Sequence, residues 1–287
     1  MSNRHEVSHS RLPRIVATNL LLAVVGLSVG VAHADSAYVA FENDAFGTIN
    51  LATGAFTSLG STSTTVAGLA LKNSTLYAAG FLGNGTSSIS SLYSVNPTNG
   101  ALTTIGSTGI SVHDFGAVTA TTAAGTSGFY ALTSSDGTDS GTAILWSINS
   151  ATGAATQIGS TGQTFNADGW DALSDNAGKL YFDNDATLYT LNLSTGAATK
   201  VGTDPNGAEM GALLFLSGAL YGGQNSPTGA VTTLNLATGA ATTVPGSSAV
   251  SNAFFGLAPT TVPLPAAAWL LLSGLGGLGA LARRRRA

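Results

Sequence analysis

The chain has 287 residues and only 8% of them are charged, against about 25% in an ordinary globular domain. Arg4, Arg11, Arg14 and Arg283 to Arg286 sit at the two ends. Between residues 35 and 261 only Lys72, Lys179 and Lys200 are basic, against thirteen acids (all fourteen except Glu6), a balance of −10. Such a body repels phosphate backbones and excludes nucleic acid as a partner, and the absence of cysteine excludes disulfides, thiolate zinc sites and thiol catalysis.

Residues 1–14 carry three arginines and two histidines, Ile15 to Val31 is mostly apolar, and Ala32-His33-Ala34 follows. A basic stretch, an apolar stretch and an Ala-x-Ala site predict a secretory signal peptide over residues 1–34, with Ala32 and Ala34 read by signal peptidase after delivery by the general secretion machinery. Asp35 becomes the mature N-terminus. The competing reading is a retained membrane anchor.

Residues 35–261 repeat one phrase. Asn50-Leu51-Ala52-Thr53-Gly54-Ala55-Phe56-Thr57-Ser58-Leu59-Gly60 returns from Asn96, Asn149, Asn192 and Asn235, the last with Pro245 before Gly246. The spacings are 46, 53, 43 and 43 residues. Each unit reads as four short strands. In the second unit these are Ala67 to Leu71, Leu76 to Ala79, Ser91 to Val95 and Leu102 to Ile105. First strands of the other units begin near Phe115, Trp170, Met210 and Phe255. Second strands hold Phe129-Tyr130, Leu180-Tyr181, Leu220-Tyr221 and Tyr38-Val39. Third strands run Ile144 to Ile148, Thr187 to Leu191, Ala230 to Leu234 and Gly47 to Ile49, with the alternation of half-buried strands. In the Asn-x-x-Thr-Gly turn the Asn side chain bonds backbone two residues on, and Gly supplies a positive φ.

The first unit starts on a second strand and the last is followed by an orphan first strand, Phe254 to Leu257. These pieces complete one another if the chain closes into a ring, whereas an open solenoid needs capping repeats at both ends. Four strands per 43–53 residues is the blade period of a β-propeller. The prediction is an all-β, five-bladed β-propeller closed by a C-terminal strand. A right-handed β-helix is the competitor, with a repeat about half as long. Small residues in the first strands, as in Val66-Ala67-Gly68 and Met210-Gly211-Ala212, suit the crowding around a propeller axis.

Residues 262–287 form a tail. Val262-Pro263-Leu264-Pro265 precedes an apolar run, Ala266 to Ala282, of 17 residues, near the lower limit for a membrane-spanning helix. Arg283, Arg284, Arg285 and Arg286 then set orientation, held in the cytoplasm by the positive-inside rule. The competing reading is a buried core helix. Within this tail the Pro-x-Pro motif, short apolar span and terminal arginine cluster resemble the PEP-CTERM sorting signal of Gram-negative bacteria, with Leu264 where the name-giving form has Glu. The resemblance implies recognition by an exosortase, a membrane cysteine protease-transpeptidase, and removal of the tail near the motif. It further implies passage through the inner membrane to the cell surface or extracellular matrix, in association with exopolysaccharide. The body resembles propeller repeats in general and no characterised family.

Candidate chemistry in the body is sparse. His113 is the one histidine left after signal cleavage. A Ser-His-Asp system with His113 and Asp114 lacks a Gly-x-Ser-x-Gly elbow. Asp114, Asp168, Asp171 and Glu209 fall at or just before first strands in three successive units. They predict, with Trp170 as a stacking surface, an acidic rim at one mouth of the channel that takes Ca²⁺ or a polar ligand such as a sugar; the bland alternative is solvated loop acids. Asp183-Asn184-Asp185 and Asp136-Gly137-Thr138-Asp139 resemble fragments of calcium loops but read as hairpin turns. Gly83-Asn84-Gly85 lacks the lysine of a phosphate loop. The expected function is a non-enzymatic interaction domain without a cofactor. The alternative is a metal-dependent propeller hydrolase or lyase acting at the acidic rim.

Overall fold

The structure is a computed structural model that describes residues 36–81, 89–111, 115–120, 129–135, 141–164, 172–176, 178–227, 229–247 and 252–260. The signal peptide, the sorting tail, and the loops holding Gly83 to Gly85, His113, Asp114, Asp136 to Asp139, Asp168, Trp170 and Asp171 lie outside those residues. Among the described residues no helix is long and apolar enough to cross a membrane.

Twenty described strands form five four-stranded antiparallel sheets. The first blade holds β1 (Ser36–Phe41), β2 (Ala45–Asn50) and β3 (Phe56–Ser61), completed by β20 (Phe254–Pro259). The second holds β4 (Val66–Lys72), β5 (Thr75–Phe81), β6 (Ile89–Val95) and β7 (Leu102–Ser111), and the third β8 (Phe115–Ala120), β9 (Phe129–Ser134), β10 (Thr142–Ile148) and β11 (Ala155–Thr164). The fourth holds β12 (Ala172–Asn176), β13 (Lys179–Asn184), β14 (Thr187–Leu191) and β15 (Ala198–Thr203), and the fifth β16 (Met210–Leu216), β17 (Ala219–Gln224), β18 (Val231–Leu234) and β19 (Ala241–Thr243). The inner strands pack in a closed circuit: β4 on β8, β8 on β12, β12 on β16, β16 on β20 and β20 on β4. The protein is therefore a five-bladed β-propeller. Its β-helix competitor is excluded, because every unit is its own meandering sheet.

Closure works as the unpaired ends of the repeat require. β20 pairs antiparallel with β1, matching Tyr38 to Ala258 and Val39 to Leu257. Thr260 Oγ1 donates to the Ser36 carbonyl at 2.9 Å, and Glu42 N–H to that of Ala253 at 3.1 Å. Pairing the two ends removes two sheet edges that would otherwise be open to association.

The repeated phrase carries three physical jobs. In all five turns the Asn Oδ1 accepts backbone N–H two residues on, from Ala52, Thr98, Ala151, Ser194 and Ala237, at 2.8–3.0 Å. The turn glycine closes back on the Asn carbonyl, as Gly196 does at 2.8 Å with φ 81°. The aliphatic residue before the final Gly is the extra residue of a β-bulge: Ile158, for example, is skipped between the pairs Leu145–Gly159 and Trp146–Gln157. Leu59, Ile105, Ile158 and Val201 all pack, half-buried, against a seam between blades. The final Gly then admits the next blade. A Cβ on Gly60, Gly106, Gly159 or Gly202 would stand under 3.0 Å from a carbonyl oxygen in the following turn, on Asn99, Thr152, Thr195 and Thr238 respectively.

Five apolar clusters fill the five seams. Ala40, Phe46, Leu69 and Leu76 join the first blade to the second, and Ala79, Leu92, Phe129 and Ile148 the second to the third. Leu132, Leu145, Leu180 and Phe182 join the third to the fourth, Leu188, Met210, Leu213 and Leu220 the fourth to the fifth, and Phe41, Ile49, Leu214 and Phe254 the fifth to the first. Burial of each large side chain is worth about 1.5–3 kcal/mol, so stability comes from adjacent blades taken in pairs.

The inner strands use small residues as expected, and among the described residues leucines from four blades crowd the axis. Leu69, Leu173, Leu213 and Leu257 occupy matching positions and are 2–4% exposed. With Gly68, Gly211 and Gly256 they surround a remaining cavity of about 10 Å³, room for about one water.

Candidate functional site

Among the described residues a cavity of ligand size lies between the fourth and fifth blades. Its volume is about 390 Å³, within the range of roughly 300–1,000 Å³ typical of small-molecule sites. Three segments make it: the loop joining β15 to β16, the end of β17 with the two residues after it, and β19. Asp204 and Glu209 contribute carboxylates, Asn206, Gln224 and Asn225 amides, and Ser226 and Thr243 hydroxyls.

Asp204 shapes the loop. It occupies the twelfth position after the repeat Asn, where the other blades place Thr62, Thr108, Thr161 and Ser247, all buried. In each of four blades this residue closes the outer strand onto the backbone at the start of the third: Thr62 N–H reaches Asp44 O at 2.9 Å, Thr108 Oγ1 reaches Ser90 O at 3.0 Å, Ser247 Oγ reaches Val231 O at 3.0 Å, and Asp204 N–H reaches Ala186 O at 2.8 Å. The carboxylate adds what a hydroxyl cannot. Oδ2 accepts the Ala208 N–H and Oδ1 the Ala241 N–H, both at 3.0 Å. One side chain thus folds the loop and ties it to the outer strand of the next blade.

Glu209 directly precedes β16, as the sequence placed it, and is half-buried in the cavity wall. Its carbonyl accepts the Asn225 N–H at 3.0 Å, and Met210 pairs with Gln224, which holds the two walls together. Of the predicted rim residues Glu209 alone falls among those described.

Asp183 stands behind this wall. It is 2% exposed, and its Oδ1 accepts the Met210 N–H at 3.0 Å, a bond from the fourth blade into the fifth. The Phe215 N–H reaches Ser174 Oγ across the same seam at 2.6 Å. Burial pushes the Asp183 carboxyl up to about 8; the Met210 N–H opposes this, and the charges of Glu209, Asp204 and Asp185 add to it. Desolvation favours the uncharged form of an acid, so at neutral pH this group is protonated. The expected hairpin is present one residue further on, at Asp185 and Ala186, with φ of 49° and 55°, the left-handed pair of a tight two-residue turn. Asp183 itself belongs to the strand, two residues after Tyr181. The same position after Tyr38, Tyr77, Tyr130 and Tyr221 holds Ala40, Ala79, Leu132 and Gly223, all buried.

Asp183 and Asp204 are thus two acids set into repeat positions that are otherwise apolar or hydroxyl-bearing, and both belong to the blade beside the cavity. Sequence reasoning missed both, although the repeat itself carries the signal. Among the described residues no group of three or more His, Cys, Asp or Glu side chains could hold a metal ion.

No family model matches the chain, and no curated protein matches it in sequence. Among solved structures it is similar to a chain of the "Crystal structure of Nidogen/Laminin Complex", at 10% identity and a TM-score of 0.49, over 78% of this chain and 97% of that chain. A likeness at that level bears on neither ligand nor partner. The fold and cavity define the class from this chain alone: a closed five-bladed propeller with a polar cleft between two blades.

Proposed function

We propose that the protein is an exported cell-surface or matrix protein whose propeller is a non-enzymatic interaction domain, delivered by a C-terminal sorting tail. In this reading residues 1–34 direct export and are removed after Ala34. An exosortase recognises Val262 to Pro265 while residues 266–282 hold the chain in the inner membrane and Arg283 to Arg286 fix its orientation. Processing near the motif releases the propeller for association with exopolysaccharide.

The observation that supports the reading most is where the ring ends. β20, the closing strand, finishes at Pro259 and its last bond to β1 uses Thr260, while the Pro-x-Pro motif starts at Pro263. A cut at the motif therefore leaves all twenty described strands intact, so tail and fold are separable. The polar cleft gives the released domain a surface for a soluble or matrix ligand.

Intact mass and fractionation of the protein in its own host test this. The expected species starts at Asp35, ends near Pro265 and lies outside the inner membrane. A full-length C-terminus retained in the inner membrane would overturn the sorting reading.

A further inference from the structure

The loop that Asp204 folds carries an Asn-Gly step, Asn206-Gly207, in the lining of the cavity. In such a step a side-chain amide precedes a backbone nitrogen whose own residue has no Cβ to obstruct its approach. The chain has three, Asn84-Gly85, Asn99-Gly100 and Asn206-Gly207, and the last two fall among the described residues. Both of these continue into alanine, Ala101 and Ala208, so their local chemistry is alike. The structure holds them very differently.

Asn99-Gly100 belongs to the turn of the second blade, and its peptide unit is clamped on both sides. The Asn99 carbonyl packs on Gly60 of the first blade, where a Cβ would collide with it. The Gly100 N–H donates to the Asn96 carbonyl at 2.8 Å. Gly100 is buried against the Phe46 side chain, which shields that N–H from water. The nitrogen reaches the Asn99 side chain only if the turn breaks and two blades part.

Asn206-Gly207 ends a turn from Asp204 to Gly207, with Pro205 second in it. Both residues are exposed. The Gly207 N–H reaches the Asp204 carbonyl at 3.2 Å, a longer bond than that of Gly100. The place where a Gly207 Cβ would stand is empty to 4 Å, so this peptide unit has room to rotate. The loop is pinned on either side of it, by the Asp204 N–H to Ala186 at 2.8 Å and by the Ala208 N–H to Asp204 Oδ2 at 3.0 Å. Freedom is confined to the step itself.

We propose that Asn206 is a site of spontaneous deamidation that changes the charge of the cleft as the protein ages. The Gly207 nitrogen loses its proton to solvent base and attacks Asn206 Cγ. The N–Cγ bond forms, the Cγ–Nδ2 bond breaks, and Nδ2 takes up a proton from solvent and leaves as ammonia. The product is a cyclic imide spanning the step. Water then opens it, giving its hydroxyl to a carbonyl carbon and its hydrogen to the nitrogen. Opening at Cγ leaves aspartate; opening at the main-chain carbonyl leaves isoaspartate, in which the main chain runs through the side chain. Water is the co-reactant throughout. Either product puts a carboxylate in the lining where an amide stood, with those of Asp204 and Glu209, and isoaspartate also lengthens the loop by a methylene. The inference concerns the propeller alone and does not rest on the export reading.

The test is peptide mapping by mass spectrometry of the purified full chain after incubation in mildly alkaline buffer. The peptides holding Asn99 and Asn206 are followed in one digest, with isoaspartate separated from aspartate by elution. Asn206 is expected to show the mass change of amide to acid, in two isomers, about tenfold faster than Asn99, the weight of the buried hydrogen bond that Asn99 must break. In denaturant the two rates should converge, because the unfolded chain has no clamp. Gly207→Ala places a Cβ beside the nucleophile, in space that accepts it, and should slow conversion several-fold while a cooperative melt shows the fold retained. An Asn206 amide that stays intact, or an Asn99 that converts as fast in the folded protein, overturns the proposal. A gap between the sites that persists in denaturant overturns its structural basis. Conversion undiminished in Gly207→Ala overturns the backbone nitrogen as nucleophile.

Discussion

Asp183→Asn should make the protein more stable, by an amount that depends on pH. Asparagine keeps an Oδ1 to accept the Met210 N–H and carries no charge. The carboxyl has a folded pKa of about 8 against an ordinary 3.8, so the native state holds this proton more tightly than the unfolded chain. Its contribution is full at pH below 3.8 and is lost as pH rises toward 8. From 3.8 to pH 7 is about three pH units, each worth about 1.4 kcal/mol, or roughly 4 kcal/mol of penalty that the wild-type protein carries at neutral pH. The new amide NH₂ needs a partner in the seam, which takes back about 1 kcal/mol. The net gain at pH 7 is about 3 kcal/mol. For a domain of this size each kcal/mol moves Tm by about 2–4 °C, so the melting point should rise by roughly 6–12 °C. Thermal melts of both proteins across this pH range read it directly. The gain should fade as pH drops toward 4. A gain that is the same at pH 4 and pH 7, or a lower melting point at pH 7, would refute the assignment of Asp183 as a buried neutral acid.

Two further outcomes follow from the ring. Gly159→Ala drives a Cβ into the Thr195 carbonyl of the next blade and should cost about 1–3 kcal/mol in denaturant titration, the usual penalty of overpacking. Gly162→Ala, three residues on, has nothing within 4 Å of the new Cβ and a φ of 75°, so its cost should be only the left-handed strain of about 1–2 kcal/mol; blade spacing would not be the cause if both variants lost the same amount. Ending the chain after Ala253 removes β20 and leaves β1 an open edge. This should abolish the single cooperative melt and promote association, while ending it after Thr261 should leave the melt unchanged.

The ring was legible because its repeat is chemical as well as numerical. Asn and Gly make the turn, an aliphatic residue makes the bulge and a second Gly makes room for the neighbour in four copies of the phrase, while the fifth, with Pro245 and Gly246, keeps only the turn. The unmatched strands at Tyr38 and Phe254 gave the closure by the same logic. The cleft was not legible in this way. Its walls come from residues 204–209, 224–226 and 241–243, and bonds between distant segments, from the Ala241 N–H to Asp204 and from the Asn225 N–H to the Glu209 carbonyl, rather than any local pattern, join them. Asp183 was read as part of a turn because Asn184 and Asp185 follow it; counting from Tyr181 instead places it in a position where every other blade is apolar. The small residues of the inner strands were read as a sign of crowding around the axis, and in four of the five inner strands a leucine beside them adds to that crowding.

The bond between Thr260 and Ser36 joins positions 224 apart in the chain, and it has a consequence for the order of synthesis. Blades two to five can each form their sheets as their residues emerge, from contacts within a few dozen positions. The first blade to be made is the last to be finished: it waits with three strands until Phe254 to Pro259 arrive. Closing so long a loop is the entropically demanding step. A nascent chain therefore travels with one unsatisfied edge at its leading end, and this edge should be the part of the molecule that a holding chaperone must cover until translation is nearly done.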